Sequence, residues 1–202
     1  MKGKAVIRSL RAASLVLMLA TSMAAAQDYD AGLAAAQSGD FATALREWTP
    51  LAEQGDARAQ YNLGIMYGKG DGVPQDDAEA VKWYRLAAEQ GLAVAQFNLG
   101  VMYNFGKGVP QDGAEAVKWF RLAAEQGYAK AQFNLGYMYA NGYGVPQDYI
   151  TAHMWFNLVA ASGFPAASSG RDRVAAKMVA ADIAEAQRRA KVCLASAYKT
   201  CD

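Results

Sequence analysis

Residues 95–130 read AQFNLGVMYNFGKGVPQDGAEAVKWFRLAAEQGYAK, and the same 36-residue unit stands on either side of them. Residues 59–94 read AQYNLGIMYGKGDGVPQDDAEAVKWYRLAAEQGLAV, and residues 131–166 read AQFNLGYMYANGYGVPQDYITAHMWFNLVAASGFPA. The first two copies agree at 27 of 36 positions. A period of about 20–50 residues marks a stacked repeat array. Such an array buries a continuous core between neighbouring repeats and leaves a long open surface, which points to binding rather than chemistry.

Each copy reads as two helices and two turns. Leu63 and Tyr67, then Leu99 and Tyr103, then Leu135 and Tyr139 sit four apart on one helical face. Gly64, Gly100 and Gly136 lie inside that first helix. Glycine there costs about 1 kcal/mol relative to alanine, so its recurrence predicts a neighbouring helix packed very close. Gly70, Gly106 and Gly142 are expected to end the helix with positive φ. Pro74, Pro110 and Pro146 hold the preceding residue extended. Asp76, Asp112 and Asp148 then read as N-caps, with Glu79 and Glu115 completing a capping-box pattern and Thr151 replacing the acid in the third copy. On the second helix the expected buried stripe is Ala80, Trp83 and Leu86–Ala87, with Ala116, Trp119 and Leu122–Ala123, then Ala152, Trp155 and Leu158–Val159. Gly91, Gly127 and Gly163 end it.

The flanks read as modified repeats. Residues 28–37 and 40–54 form a first helix pair with a short turn at Ser38–Gly39, and Pro50 is expected to kink the second of them. Residues 165–176 and 180–197 form a last pair, whose polar final helix is expected to face water as a cap on the stack. The domain layout is thus 1–26 leader, 27–58 N-terminal capping pair, 59–166 three repeats, and 167–202 C-terminal capping helices.

Lys2, Lys4, Arg8 and Arg11 precede an apolar run, and Ala24 and Ala26 precede a cleavage point expected before Gln27. This is the pattern of a secretory signal peptide, too short in its apolar run for a membrane anchor. A periplasmic or secreted location is therefore expected. The chain has 20 basic and 19 acidic residues. Loss of the leader's four basic residues leaves 16 against 19, a net charge of −3. That argues against a nucleic-acid or anionic-membrane binder. Export also places Cys193 and Cys201 in an oxidising compartment. Eight residues of straight helix span about 12 Å, and bridged Cα atoms lie within about 7 Å. A bridge between the two therefore requires the last helix to end between them; free thiols or an intermolecular bridge are the alternatives to this clip.

The motifs A-Q-[YF]-N-L-G-x-M-Y, G-x-G-V-P-Q-D and A-x-x-W-[YF]-x-[LV]-A-A-x-x-G, closed by IAEAQRRA at 183–190, resemble the Sel-one-like repeat family, related to the tetratricopeptide repeats. The resemblance implies an all-α fold, an α–α superhelix (solenoid) of stacked helix pairs. It also implies an adaptor role in assembling protein complexes, in signalling or at the cell envelope. One exported subgroup carries a cysteine pair in each repeat and has been described as acting on β-lactams; this chain has no cysteine inside its repeats. In the tetratricopeptide-like arrangement the first helix of each pair lines a concave face. The candidate partner-binding residues there are Tyr61, Ile65 and Lys69, then Phe97, Val101 and Phe105, then Phe133, Tyr137 and Asn141, with Gly68, Asn104 and Ala140 beside them. Phe105 and Tyr137 stand out because their counterparts in the other copies are not aromatic. Tyr61, Phe97 and Phe133 have a second reading as packing between neighbouring helices.

Little else advertises chemistry. His153 is the sole histidine, near the start of the third Trp helix, and is read as solvated or locally bonded. Asp71, Asp76 and Asp77 do not recur as a calcium loop would, and GKGDG at 68–72 lacks the ending and the strand of a phosphate loop. No cofactor or metal is expected. The reading is an exported adaptor for a protein or peptide partner, with no nucleic acid and no membrane span after leader removal. A cell-wall or β-lactam-acting hydrolase and a structural envelope protein are the alternatives, and the oligomeric state is left open.

Overall fold

The computed structural model describes residues 29–201; the leader expected at 1–26 lies outside them. The described chain is helical, and contacts divide it after Gln75 into two compact units.

The first unit holds α1 (residues 29–38), α2 (Phe41–Glu53) and α3 (Ala57–Lys69). Asp40 and Asp56 accept backbone N–H groups from the first turns of α2 and α3. α2 runs on through Pro50. Trp48 is buried, its Nε1 donates to Tyr29 O at 3.2 Å, and its indole occupies the space a Cβ on Gly32 would need.

The second unit holds α4 (Asp77–Glu89), α5 (Ala93–Phe105), α6 (Gly113–Ala124), α7 (Ala129–Asn141), α8 (Tyr149–Ala161), α9 (Pro165–Ala175) and α10 (Ala180–Ala195). α5 packs on α6 and α7 on α8, with α4·α5 and α6·α7 contacts linking them. The helical glycines show why the pairs are tight: a Cβ on Gly100 would lie 2.7 Å from the Phe120 ring, and one on Gly136 2.8 Å from Phe156. Asp76, Asp112 and Asp148 each accept backbone N–H groups of the helix that follows. Glu79 and Glu115 do not complete the capping box; they pair with Lys82 and Lys118 one turn on. Gly106 and Gly142 end α5 and α7 at φ 64° and 71°.

One feature recurs without having been anticipated. The buried Gln60, Gln96 and Gln132 each donate Nε2 to a carbonyl in the last turn of the preceding helix, at Ala52, Ala88 and Ala124. Each of those carbonyls also accepts the backbone N–H of the glycine that closes its helix, Gly55, Gly91 or Gly127, and the glutamine supplies its second bond. The glutamine of the A-Q-[YF]-N motif is thus a cross-helix cap.

Two expectations are corrected. The buried stripe of α4 is Ala80, Val81, Tyr84, Ala87 and Ala88, and that of α6 is Ala116, Val117, Phe120, Ala123 and Ala124. Leu86 and Leu122 are 43% exposed, because at 100° per residue they fall almost opposite that stripe. Leu158, at the same register, is only 7% exposed and Trp155 is fully buried, since α8 alone carries α10 on its outer side. The second correction follows from this. α9 and α10 do not form a closing pair: each packs chiefly on α8, where α10 buries Ala186, Ala190 and Cys193 and keeps the polar Gln187, Arg188 and Lys191 in water, as a cap does.

Beyond α10 the chain reverses through Ala197 and Tyr198, both at positive φ, and Cys201 is disulfide-bonded to Cys193 with Cα atoms 4.4 Å apart. The reversal lays the Tyr198 ring against Gly127, where a Cβ would lie 3.0 Å from it.

Candidate ligand groove

The C-terminal unit contains a groove of about 820 Å³ between the ends of α5 and α7. Phe105 is the last residue of α5; the helix stops at Gly106 beneath it, so its ring has no following turn to pack on and is 65% exposed. Tyr137 faces it from α7 at 44% exposure. Tyr143, in the loop after α7, places its ring 5.9 Å from that of Tyr137 and extends the aromatic wall. The floor is apolar and buried: Phe120 and Met138 are almost inaccessible, and Phe133 is half-buried with its ring 5.5 Å from Phe156 and 5.3 Å from Phe164.

Glycine makes the rim possible. Gly144 sits at φ 70° against the start of α6, and a Cβ there would overlap the backbone of Gly113. Gln111 donates Nε2 to Asn104 O at 2.8 Å and so ties the rim loop to the end of α5. The Asn104 and Asn134 side chains line the groove and neither engages another described residue. None of the lining residues carries a charge.

The candidate residues named from the sequence divide as follows. Phe105, Phe133 and Tyr137 come together in the groove. Phe97 packs between helices, its ring 5.7 Å from Phe120 and 5.3 Å from Tyr128, and Val101 packs half-buried against the same core. Asn141 is exposed but turns its Nδ2 back to Tyr137 O at 2.8 Å. Tyr61, Ile65 and Lys69 lie on α3 in the N-terminal unit, the first two half-buried and Lys69 exposed. The floor residues Phe120 and Met138 and the rim residue Gln111 were not among the candidates, and neither were two groove side chains, Tyr143 and Asn134. Tyr143 replaces Lys107 and Asp71 of the earlier copies, so variation between copies does mark it. Asn134 matches Asn62 and Asn98, and that identity disguises it as a structural position.

His153 is buried rather than solvated. It is 2% exposed and its Nδ1 has no partner among the described residues. Its counterparts are Val81 and Val117, both buried, so it occupies a core position. Burial pushes its pKa down, and the charge of Arg171 adds to this against an opposing pull from Asp172. Among the described residues no three His, Cys, Asp or Glu side chains converge as metal ligands. No described helix is long and apolar enough to cross a membrane.

Comparison with known proteins agrees with this geometry. The Sel1 repeat pattern matches residues 57–92, 93–128 and 129–164, beginning at the first residues of α3, α5 and α7 and two residues ahead of the 59–166 frame. Among solved structures, a Sel1 repeat protein from Oxalobacter formigenes is similar at 36% identity and TM-score 0.68, over 71% of this chain and 59% of that one. An SLR-fold protective antigen present in uropathogenic Escherichia coli strains is similar at 35% identity and TM-score 0.70, over 77% of this chain and 34% of that one. The chain therefore spans well under two thirds of either protein. A comparison with curated proteins finds no match. With three tandem matches over more than half its length and a stacked-helix fold shared with these neighbours, the chain belongs to the Sel1 repeat family.

Proposed function

We propose that the chain is an exported helical-repeat adaptor that holds a protein partner in the groove between α5 and α7, as a regulator or assembly factor at the bacterial cell envelope. Sel1 repeat proteins are in general scaffolds for protein–protein interaction and typically non-catalytic. The observation that carries the reading here is the groove itself. Phe105, Tyr137 and Tyr143 hold aromatic surface in water although the repeat fold does not require aromatics at those positions. Exposed aromatics beside a buried apolar floor are what binding hot spots are made of. Export is supported by the leader at 1–26 and by a chemistry compatible with it, the Cys193–Cys201 disulfide.

The test is affinity capture from envelope extract with the mature chain beside its Phe105→Ala/Tyr137→Ala variant. Loss of a partner by a variant that keeps its helical spectrum supports the reading. Equal capture by both moves the site elsewhere on the molecule.

A further inference from the structure

Resting on that adaptor reading, we propose that the groove takes an uncharged, extended peptide segment of the partner. Its backbone is held by the Asn104 and Asn134 amides, and one bulky apolar side chain is seated on the floor beneath Phe105 and Tyr137.

Three observations converge on this chemistry. The first is charge. No lining residue is ionised, and the floor is sealed by Phe120 and Met138. A carboxylate or ammonium entering there would lose hydration with no counter-charge to replace it. The second is the state of the amides. Most polar side chains nearby are committed: Gln111 to Asn104 O, Asn141 to Tyr137 O. Asn104 and Asn134 are not, and each offers one donor and one acceptor group. That is the complement of a peptide unit's C=O and N–H, which an extended segment leaves unpaired. The third is the floor. A neutral sugar could stack on the aromatic wall, but its ring of hydroxyls would meet the apolar floor of Phe120, Met138 and half-buried Phe133 without hydrogen-bond partners. An apolar side chain meets them without that penalty.

The aromatic wall and Asn104 belong to these copies, whereas Asn134 is common to every copy. Asn104, Phe105, Tyr137 and Tyr143 correspond to Gly68, Lys69, Val101 and Lys107 one copy earlier, which bring two cations and no aromatic ring.

The experiment is a peptide-display selection on the immobilised mature chain, with counter-selection on the Phe105→Ala/Tyr137→Ala variant. Selected peptides are then titrated as free, end-capped synthetics, and chitohexaose and maltohexaose are titrated in parallel. The expected result is a neutral consensus around one aromatic or large aliphatic residue. Its affinity should change less than about twofold between roughly 0.05 and 0.5 M salt, a range over which exposed charge pairs are screened. Asn134→Leu should weaken binding about tenfold or more, the equivalent of one lost hydrogen bond, with an unchanged unfolding transition. A consensus carrying Asp, Glu, Lys or Arg, with affinity falling steeply in salt, overturns the neutral-peptide inference and leaves the adaptor reading standing. An unchanged affinity in Asn134→Leu overturns the amide clamp. Failure of every peptide to depend on Phe105 and Tyr137 overturns both the inference and the groove reading. Saccharide binding that the double variant loses replaces the peptide with a glycan.

Discussion

At the scale of single residues, the repeat is held by side chains whose work is visible only in three dimensions. Gln96 is an example. Its amide is spent on Ala88 O, a carbonyl at the end of α4 whose other bond comes from the Gly91 N–H. Gln96→Ala leaves Ala88 O with the Gly91 N–H alone and removes the acceptor of Gln126 Nε2, so urea unfolding should show a loss of about 0.5–1.5 kcal/mol. A loss below about 0.5 kcal/mol would mean that water replaces the amide. Gly100 sets two effects against each other. Alanine is the better helix former by about 1 kcal/mol, but its Cβ would press on the Phe120 ring at 2.7 Å and on Ala116 O at 3.2 Å. Overpacking of this kind costs about 1–3 kcal/mol. With backbone on one side and a buried ring on the other, Gly100→Ala should be net destabilising; a rise in melting temperature would show that the α5–α6 pair can spread. His153 gives a pH dependence. Its pKa is lowered in the fold from 6.5 by burial, so the unfolded chain takes the proton first. The stability held at neutral pH is therefore lost as pH falls below about 6.5 toward the folded pKa. His153→Leu should flatten that slope in thermal melts between about pH 7 and 5; an unchanged slope would assign it to other groups. Of these three residues only the glycine could be read in advance, because a mid-helix glycine contradicts helix propensity. The glutamine agrees with propensity, and the histidine hides at a position where the other copies hold valine.

At the scale of elements, the repeat helices were legible because many boundaries are written in local chemistry: aspartates cap α2, α3, α4, α6 and α8, and glycines at positive φ follow the C-termini of α2 to α8, although α5, α7, α9 and α10 start with no side-chain cap. What each helix faces was less so. Leu86, Leu122 and Leu158 are the same residue at the same register, yet only the last is covered. The leucine itself does not distinguish them; its neighbours do, since Met154 and Asn157 stand where the earlier copies hold lysine and arginine, and α10 covers that side from some thirty residues further along the chain. The groove shows the same division. Phe105 and Tyr137 were found because they break the repeat, whereas Asn134 was missed because it keeps it. The position of α10 also carries a prediction. The disulfide returns the tail to α10 and lays Tyr198 on Gly127. Closing so short a loop is worth about 2–3 kcal/mol in the chain-entropy account. Reduction, or Cys193→Ser with Cys201→Ser, should lower the melting temperature by several degrees and raise protease access after Ser196. Equal melts with and without reductant would show that α10 is held by its Ala186 and Ala190 packing alone.

At the scale of the whole molecule, the division after Gln75 makes an asymmetry that stacking arrays do not demand. The C-terminal unit, residues 76–202, has seven helices, the groove and the disulfide. It also keeps Asp76, the residue that caps its first helix. The N-terminal unit describes three helices around Trp48. Chains of about 60 residues are marginal, because they bury too small a fraction of their surface, and shorter ones more so. The larger block is therefore expected to hold its fold without the smaller one. A fragment of residues 76–202 should unfold in one cooperative transition and keep the affinity of the full chain for any groove ligand, while residues 27–75 alone should show weak helicity without a sharp melt. If instead the larger fragment melts broadly, the groove depends on the N-terminal repeats. The mature chain would then have to be treated as one cooperative array, with ligand binding and N-terminal stability linked.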